Sequence, residues 1–243
     1  MKTQIKTLTE LLTDENPLQA SEWQVRAVYS DQCLSYIAWN SLSQEAILVD
    51  PKREDGPAYR QFKAELLGFR WLAVIDTHTH ADHVSLAADL SQILQAPYIM
   101  HHLSPTQRAH LKIMQDTQLS TVAGPLQLIC TPGHTQDSMT LIWGPFVFGG
   151  DTVLYADSGR DDLPTGNPQT HFESLKKLKT LLSPQSILLP GHDHRGGRAS
   201  SWSKQLQMNS SLIQNEEEFI RDSLSFRAEA PEHLNESLRE NFK

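Results

Sequence analysis

Three histidines and an aspartate fall within six positions, His78, His80, Asp82 and His83, in the run T-H-T-H-A-D-H that begins at Thr77. Imidazole nitrogen and carboxylate oxygen are the usual protein donors to divalent transition metals. Packed this closely, three imidazoles beside a carboxylate titrate against one another unless a cation holds them in the neutral form. Three further polar punctuations follow along the chain: Thr131-Pro132-Gly133-His134-Thr135, Gly149-Gly150-Asp151 and Pro190-Gly191-His192-Asp193-His194. In each, glycine lets the backbone turn sharply and hand one ligand-type side chain into a shared space. A lone Gly-His or Gly-Asp is more often only a turn. Four such deliveries in succession, each after an apolar run, point to a metal centre gathered at strand ends.

Rigid elements must carry these residues. The run from Trp71 to Thr77 is apolar and rich in β-branched residues, which predicts a buried strand over Leu72–Ile75. Leu126–Cys130, Pro145–Phe148 and Ser186–Leu189 play the same part for His134, Asp151 and His192. Strands are also expected at Trp23–Tyr29, Cys33–Ala38, Ala46–Val49, Pro97–Met100 and Met139–Trp143, with Asp50-Pro51 as a turn signal after the third of these. Helical spacing appears in Ala58–Phe69 (Tyr59, Phe62, Leu66, Leu67), Val84–Leu94, Pro105–Met114, Thr170–Leu182, Trp202–Leu212 and Asn215–Leu224. Residues 1–20 are polar and expected to form a short helix or tail; the charged segment 231–243 is expected to be mobile or peripheral. No solenoid repeat is present. Strands, a strand–helix alternation, more strands, then strand and helix again predict one domain over 1–243, with two sheets and helices outside them, an α/β layered arrangement.

With 243 residues the chain can bury a substantial core, and aliphatic runs recur despite a hydrophobic content of 39%. The formal net charge is −8 and no block of Lys and Arg exceeds two residues, so nucleic acid and anionic membrane are poor partners. The N-terminus carries no continuous apolar segment, no stretch approaches a membrane span, and the two cysteines, Cys33 and Cys130, form no Cys-x-x-Cys pair. A cytoplasmic protein is expected. Glycine patterns of serine hydrolases, P-loops and dinucleotide folds are absent. His101 and His102 read as ordinary strand-end residues, and His110, His171 and His233 as solvated residues on polar helix faces. Cys130 is expected to be buried in its strand; Cys33 is similar but nearer the cleft.

The order H-x-H-x-D-H, then a lone His, a lone Asp and a last His resembles the metallo-β-lactamase superfamily, with His78, His80, Asp82, His83, His134, Asp151 and His192 at the matching positions. The resemblance implies a four-layer αβ/βα metallo-β-lactamase sandwich with the metals in a cleft between its sheets. It implies two uses of the same residues. In the dinuclear hydrolases, His78, His80 and His134 hold one cation, Asp82, His83 and His192 a second, and Asp151 bridges them. In the persulfide dioxygenases one Fe(II) per chain is held by the residues matching His78, His134 and Asp151, a facial triad that leaves positions open for O₂ and substrate. His80, Asp82, His83 and His192 then hold ligand tautomers and water.

The flanking sequence resembles the dioxygenase branch. Gly159-Arg160-Asp161-Asp162-Leu163 is similar to its G-R-x-D-[FL] segment, and Gly191-His192-Asp193 to its H-D rather than to the H-E-Y-T of the more distant glyoxalase II. Only 51 residues follow His192, too few for the helical substrate domain of glyoxalase II. The resemblance implies an Fe(II) enzyme oxidising glutathione persulfide, or a similar small persulfide, with O₂ to sulfite and thiol. Asp82 and Arg160 are its candidate catalytic groups; Arg160 would orient the loop or pair with Asp162. Two departures stand out: His194 replaces a tyrosine usual in relatives, and Asn209-Ser210-Ser211 stands where relatives often read N-P-R. His194, Arg195 and Arg198, with Arg160, are therefore the candidate substrate contacts. A dinuclear zinc thioesterase or lactonase with two Zn is the alternative, a metal-keeping sensor domain a more distant one, and a homodimer is compatible with either enzyme reading.

Overall fold

The structure, a computed structural model, describes residues 2–14, 21–193, 198–226 and 234–243. Strands β1 (Gln4–Thr7), β2 (Trp23–Ser30), β3 (Cys33–Asn40), β4 (Glu45–Val49), β5 (Arg70–Ile75), β6 (Tyr98–His101) and β7 (Leu111–Ile113) form one sheet in chain order. Pairing is antiparallel from β1 to β4 and parallel from β4 to β7. The short helix α1 (Leu8–Leu11) follows β1, and the crossovers carry α2 (Gly56–Glu65) and α3 (Ala87–Leu94). The second sheet runs β13-β12-β11-β10-β9-β8, from β8 (Thr117–Leu119), β9 (Leu126–Cys130), β10 (Met139–Trp143), β11 (Phe146–Gly150), β12 (Ile187–Pro190) and β13 (Ser200–Ser201). Its β11–β12 pair is parallel and is bridged by α4 (Pro168–Leu181). Helices α5 (Trp202–Met208), α6 (Ser210–Ile213), α7 (Glu216–Ser225) and α8 (Leu234–Asn241) complete the described α-helices.

Period-two alternation sorts the strand residues into layers. Val25, Ala27, Tyr36, Ala38, Ile47, Val49, Ala73 and Ile75 face Leu126, Leu128, Leu141, Trp143, Phe146, Phe148, Ile187 and Leu189 between the sheets. Their neighbours Val28, Ile37, Leu48 and Val74 turn outward against Tyr59, Phe62, Leu90 and Leu94 of α2 and α3. Val147 and Leu188 turn outward on the other side, against Leu175, Leu178, Trp202 and Phe219. Helix, sheet, sheet and helix therefore stack as the two sheets with outer helices that the element order predicts, in the αβ/βα sandwich that the family resemblance implies.

Several local expectations are corrected. The polar start holds the short helix expected there, α1, which buries Leu8 and Leu11, but it also supplies an unforeseen edge strand, β1, whose register on β2 runs from Gln4–Tyr29 to Thr7–Arg26. Residues 105–114 are not a helix: apart from β7 at their end they are loop, in which Pro105 and an exposed His110 follow the edge of the first sheet. The expected helix over 202–212 breaks at Asn209, which caps α6 by accepting the Leu212 N–H at 3.2 Å. The charged C-terminal segment forms α8, and Ser237 in it is buried.

One buried carboxylate joins the two sheets. Glu45, in β4, accepts the Val122 N–H at 3.1 Å and the Ala123 N–H at 2.8 Å from the β8–β9 turn, and pairs with Arg70. Burial pushes its carboxyl up, but Arg70 and the two N–H groups outweigh it and hold the group below the usual carboxylate range. Glu45→Ala leaves those N–H groups without an acceptor, and we expect urea melts at pH 7 to show a loss of about 2 kcal/mol. Because the folded pKa is depressed, the wild-type advantage is present above about pH 4.3 and is lost as pH falls through the folded value. An advantage that persists unchanged into acid contradicts this account.

Candidate metal centre

Four strand ends meet at one edge of the sandwich. β5 leads to His78, β9 to His134, β11 to Asp151 and β12 to His192. The turn before His134 requires glycine: Gly133 has φ 149°, and a Cβ there would overlap the backbone of His171. Gly191 has a different reason, since a Cβ at that position would press on the Asp151 carboxylate, 2.7 Å away.

One ligand atom each from His78, His134 and Asp151 lies within 4.8 Å of the others. The His78 and His134 rings meet edge-on with centroids 4.8 Å apart, and His134 Nε2 stands 3.6 Å from Asp151 Oδ2. Hydrogen bonds behind the rings set their tautomers. Asp50, at φ 50°, accepts the Thr77 N–H at 2.6 Å and the Thr77 O–H at 2.8 Å. With its proton so placed, Thr77 Oγ1 accepts from His78 Nδ1 at 3.0 Å, and the buried His78 Nε2 is left without a hydrogen-bond partner. His134 Nδ1 donates to the Arg160 carbonyl at 2.5 Å, which leaves its Nε2 as a lone pair. Burial, reinforced by the His80 and His134 rings, pushes His78 well below the ordinary imidazole range. Burial also lowers His134 against the pull of Asp151. Burial alone would raise the Asp151 carboxyl, but His192, His134 and His78 hold it far below the usual range. Two neutral imidazoles and one carboxylate are the state in which these residues bind a metal.

A second cluster adjoins the first. Asp82 Oδ2 accepts from His83 Nδ1 and His192 Nε2, both at 3.0 Å, and from Cys33 Sγ at 3.1 Å. The other His192 nitrogen, Nδ1, donates to Asp151 Oδ1 at 2.8 Å, which links the clusters. Burial disfavours charge on His83 and His192, yet the facing carboxylates hold both well above the ordinary range. His80 lies behind, with Nε2 3.3 Å from Asp50 Oδ1 and its buried Nδ1 without a partner. Orphaned nitrogens on His78, His80 and His83, all aimed away from their hydrogen-bonded sides, fit a chain that binds metal here.

The centre opens into a cleft of about 850 Å³ bordered by Asp82, His134, Asp151, Tyr155, Arg160 and Phe226. Arg160 grips Asp162 through two bonds, Nε–Oδ1 at 2.6 Å and a terminal nitrogen to Oδ2 at 2.8 Å, and its guanidinium carbon lies 5.6 Å from the Phe226 ring. Pairing with Asp162 is one of the two arrangements expected of it. Arg198 lies over the Tyr155 ring at 5.5 Å, while His194 and Arg195 lie outside the described residues, as does His233. His101 and His102 stay at the end of β6, away from the centre, and Cys130 is half-buried.

Three groups at the centre were missed by sequence reasoning. Asp50 read only as a turn, although it follows a continuously buried strand just as Asp151 does. His171 is not solvated: it is fully buried, with Nδ1 3.2 Å from Asp161 Oδ2 and Nε2 2.8 Å from the Thr152 carbonyl, and so fastens α4 to the Arg160 segment. The charged C-terminal segment is not peripheral. From α8, Asn241 Nδ2 donates to the His80 and His83 carbonyls, each at 2.9 Å, and its Oδ1 accepts the Ser85 N–H at 2.9 Å.

No family model matches the chain. Human mitochondrial persulfide dioxygenase ETHE1 is 27% identical over 212 residues, covering 86% of this chain and 83% of that protein. The crystal structure of ETHE1 from Myxococcus xanthus superposes with a TM-score of 0.82 at 26% identity, covering 90% of this chain and 97% of that one. A metallo-β-lactamase from Staphylococcus aureus superposes at 0.79 with 22% identity, over 92% and 72% of the two chains. The chain has the metallo-β-lactamase superfamily fold. Its clustered donors fit a metal-dependent enzyme of that fold and are consistent with a mono- or dinuclear site.

Two variants probe how the fold supports the centre. Thr77→Val removes the acceptor of His78 Nδ1, and chelator competition is expected to show metal affinity lowered by about 10- to 100-fold. Asn241→Ala leaves two carbonyls and one N–H of the metal loop without their partner, so thermal unfolding of the metal-free chain should reveal a loss of about 1–3 kcal/mol. Unchanged affinity in the first or unchanged melting in the second contradicts the corresponding contact.

Proposed function

We propose that the protein is an Fe(II)-dependent dioxygenase that oxidises a low-molecular-weight persulfide, such as glutathione persulfide, to sulfite and thiol. His78, His134 and Asp151 would hold the iron. One observation carries the reading: the Gly159–Leu163 segment, which resembles that of persulfide dioxygenases, is joined to this triad because the Arg160 carbonyl sets the tautomer of His134. The similarity to ETHE1 over most of both chains supports the same branch.

Bound iron would bring O₂ and the anionic sulfur together and supply the electrons that activate O₂. The overall change is RSSH + O₂ + H₂O → RSH + SO₃²⁻ + 2 H⁺. The chain's own groups do the rest. Tyr155 and Phe226 give the thiol portion apolar walls, and the Arg160–Asp162 pair holds the loop between them. Asp82 and His192 face the cleft and are hydrogen-bonded across 3.0 Å, so they would orient the water consumed in releasing sulfite. No helix among the described residues is long and apolar enough to cross a membrane.

The second reading, a dinuclear zinc hydrolase, is favoured by the Asp82, His83 and His192 cluster beside the triad. Expression with iron and zinc both available, followed by metal counting and O₂ uptake with glutathione persulfide, separates the two. We expect iron in the triad and O₂ consumed with sulfite formed. Two zinc ions with thioester or lactone hydrolysis and no O₂ uptake would establish the hydrolase instead. His134→Ala is expected to lose iron and O₂ uptake together, by more than about 100-fold; retained iron with full turnover overturns the assignment of the triad.

A further inference from the structure

Asn209 sits where α5 hands over to α6, and it is fully buried although its side chain is polar. Gln205, one turn earlier in α5, is fully buried as well. Amides are tolerated in an interior where their donors and acceptors find partners. Most of the partners here come from a distant part of the chain. Asn209 Nδ2 donates to the Leu154 carbonyl at 3.0 Å and the Asp157 carbonyl at 2.8 Å, and stands 3.0 Å from Gln205 Oε1. Gln205 Oε1 accepts the Ala156 N–H at 3.0 Å, while its Nε2 donates to Ser200 Oγ at 2.7 Å. The Ser210 N–H adds a bond to the Ala156 carbonyl at 3.2 Å.

These bonds converge on one short loop, residues 154–158, which lies between Asp151 and Arg160. The loop closes on itself through Leu154 N–H to the Asp157 carbonyl at 2.9 Å, and Ala156 takes a left-handed φ of 66°. A left-handed alanine persists only where its surroundings hold it there. Here the buried amides do so from beneath. Above, the loop borders the cleft through Tyr155, Asp157 and Ser158. Asp157 Oδ1 accepts the Ser158 N–H at 2.9 Å and the Ser211 hydroxyl at 3.0 Å, so the polar part of this wall is tied to the same helix junction.

The two ends of the loop are fastened separately. Thr152 N–H donates to the Gly149 carbonyl at 3.1 Å, and Gly159 N–H to the Asp151 carbonyl at 2.8 Å. Gly159 packs so closely there that a Cβ would fall 2.3 Å from the Asp151 carbonyl oxygen. Asp151 and the Arg160 carbonyl behind His134 are therefore anchored without the amide pair, whereas the wall between them is not.

We propose that Gln205 and Asn209 are positioning residues for the substrate: they set the Tyr155–Ser158 wall that receives the thiol portion, and so govern binding rather than the chemistry at the metal. The inference rests on the dioxygenase reading for the identity of that portion, a small organic thiol. It goes beyond that reading by assigning recognition to two residues behind the cleft wall. The physical basis is preorganisation, since a wall already held by buried bonds loses no affinity to being ordered when substrate arrives.

Asn209→Ala removes the donor to both carbonyls. Ala156→Pro reaches the same end from the side of the cleft, because proline lacks the N–H given to Gln205 and cannot adopt φ 66°. It leaves the buried pair in place should Asn209→Ala fail to fold. In O₂-uptake assays of iron-loaded protein with glutathione persulfide, each variant should raise KM by about tenfold or more, with kcat within about twofold and the iron content unchanged. A KM that stays the same in the folded variants, or a kcat and iron content that fall together, overturns the proposal. Should the unaltered protein consume no O₂ with the persulfide, the dioxygenase reading fails by itself, and calorimetric binding of glutathione decides the role of the amides. A Kd weakened by about tenfold in the variants then supports it; an equal Kd, or no binding by any form, overturns it.

Discussion

The Asp50 carboxylate, buried at the end of β4, is the contact on which the centre depends, because it holds both the N–H and the O–H of Thr77 at the mouth of the histidine loop. With the Thr77 proton committed to Asp50, Thr77 can only accept from His78 Nδ1, and the metal-facing nitrogen of His78 must be the bare one. Asp50 also faces His80 at 3.3 Å. One carboxylate in a left-handed turn therefore sets the path of the loop and the tautomer of its first proposed ligand. Residues other than glycine reach φ 50° at a cost of about 1–2 kcal/mol, offset here by two short hydrogen bonds to the charged group.

Such a centre stores electrostatic tension that a cation relieves. His78 and His134 are kept neutral by burial, while His83 and His192 are kept protonated by Asp82 and Asp151. Opposite protonation tendencies in rings a few ångströms apart follow from which partner each ring meets, not from its residue type. Binding of metal lets the second pair give up protons, so loading couples to pH and to folding in the same step. Beneath the centre, Trp143, Phe146, Phe148 and Tyr36 fill the inter-sheet core and are closed to solvent.

Three distant segments are drawn in to brace the loops. The Arg160 segment reaches His134 through a carbonyl and is itself pinned by His171 on α4 and by Ser223 on α7, both on Asp161 Oδ2. The C-terminal helix closes the other side through Asn241. Loops that present metal donors need this bracing, since small displacements of a ligand atom change affinity and reactivity steeply. It also ties the cleft walls to the centre, because Arg160 both fixes His134 through its backbone and borders the cleft through its side chain.

The layered architecture and the principal donors were legible in the sequence, because both depend on short-range patterns. Alternation in Val25–Ala38 and Ala46–Ile75 assigns faces to strands, and glycine before His134, Asp151 and His192 marks where each strand hands over a donor. The polar sequence of residues 4–7 hid an edge strand, since an edge needs little apolar surface, and the spacing in 105–114 imitated a helix where the chain instead pairs at the sheet edge as β7. Asp50, His171 and Asn241 gained their roles only in three dimensions. Nothing adjacent to them in the chain signals that Asp50 will meet Thr77, that His171 will meet Asp161, or that Asn241 will meet the histidine loop. Residue type and spacing marked a candidate metal centre and the strand ends that carry it. Tertiary structure decided which nitrogen of each ring faces it, which charges surround it and which remote segments hold it, because protonation and orientation depend on neighbours that only folding brings together.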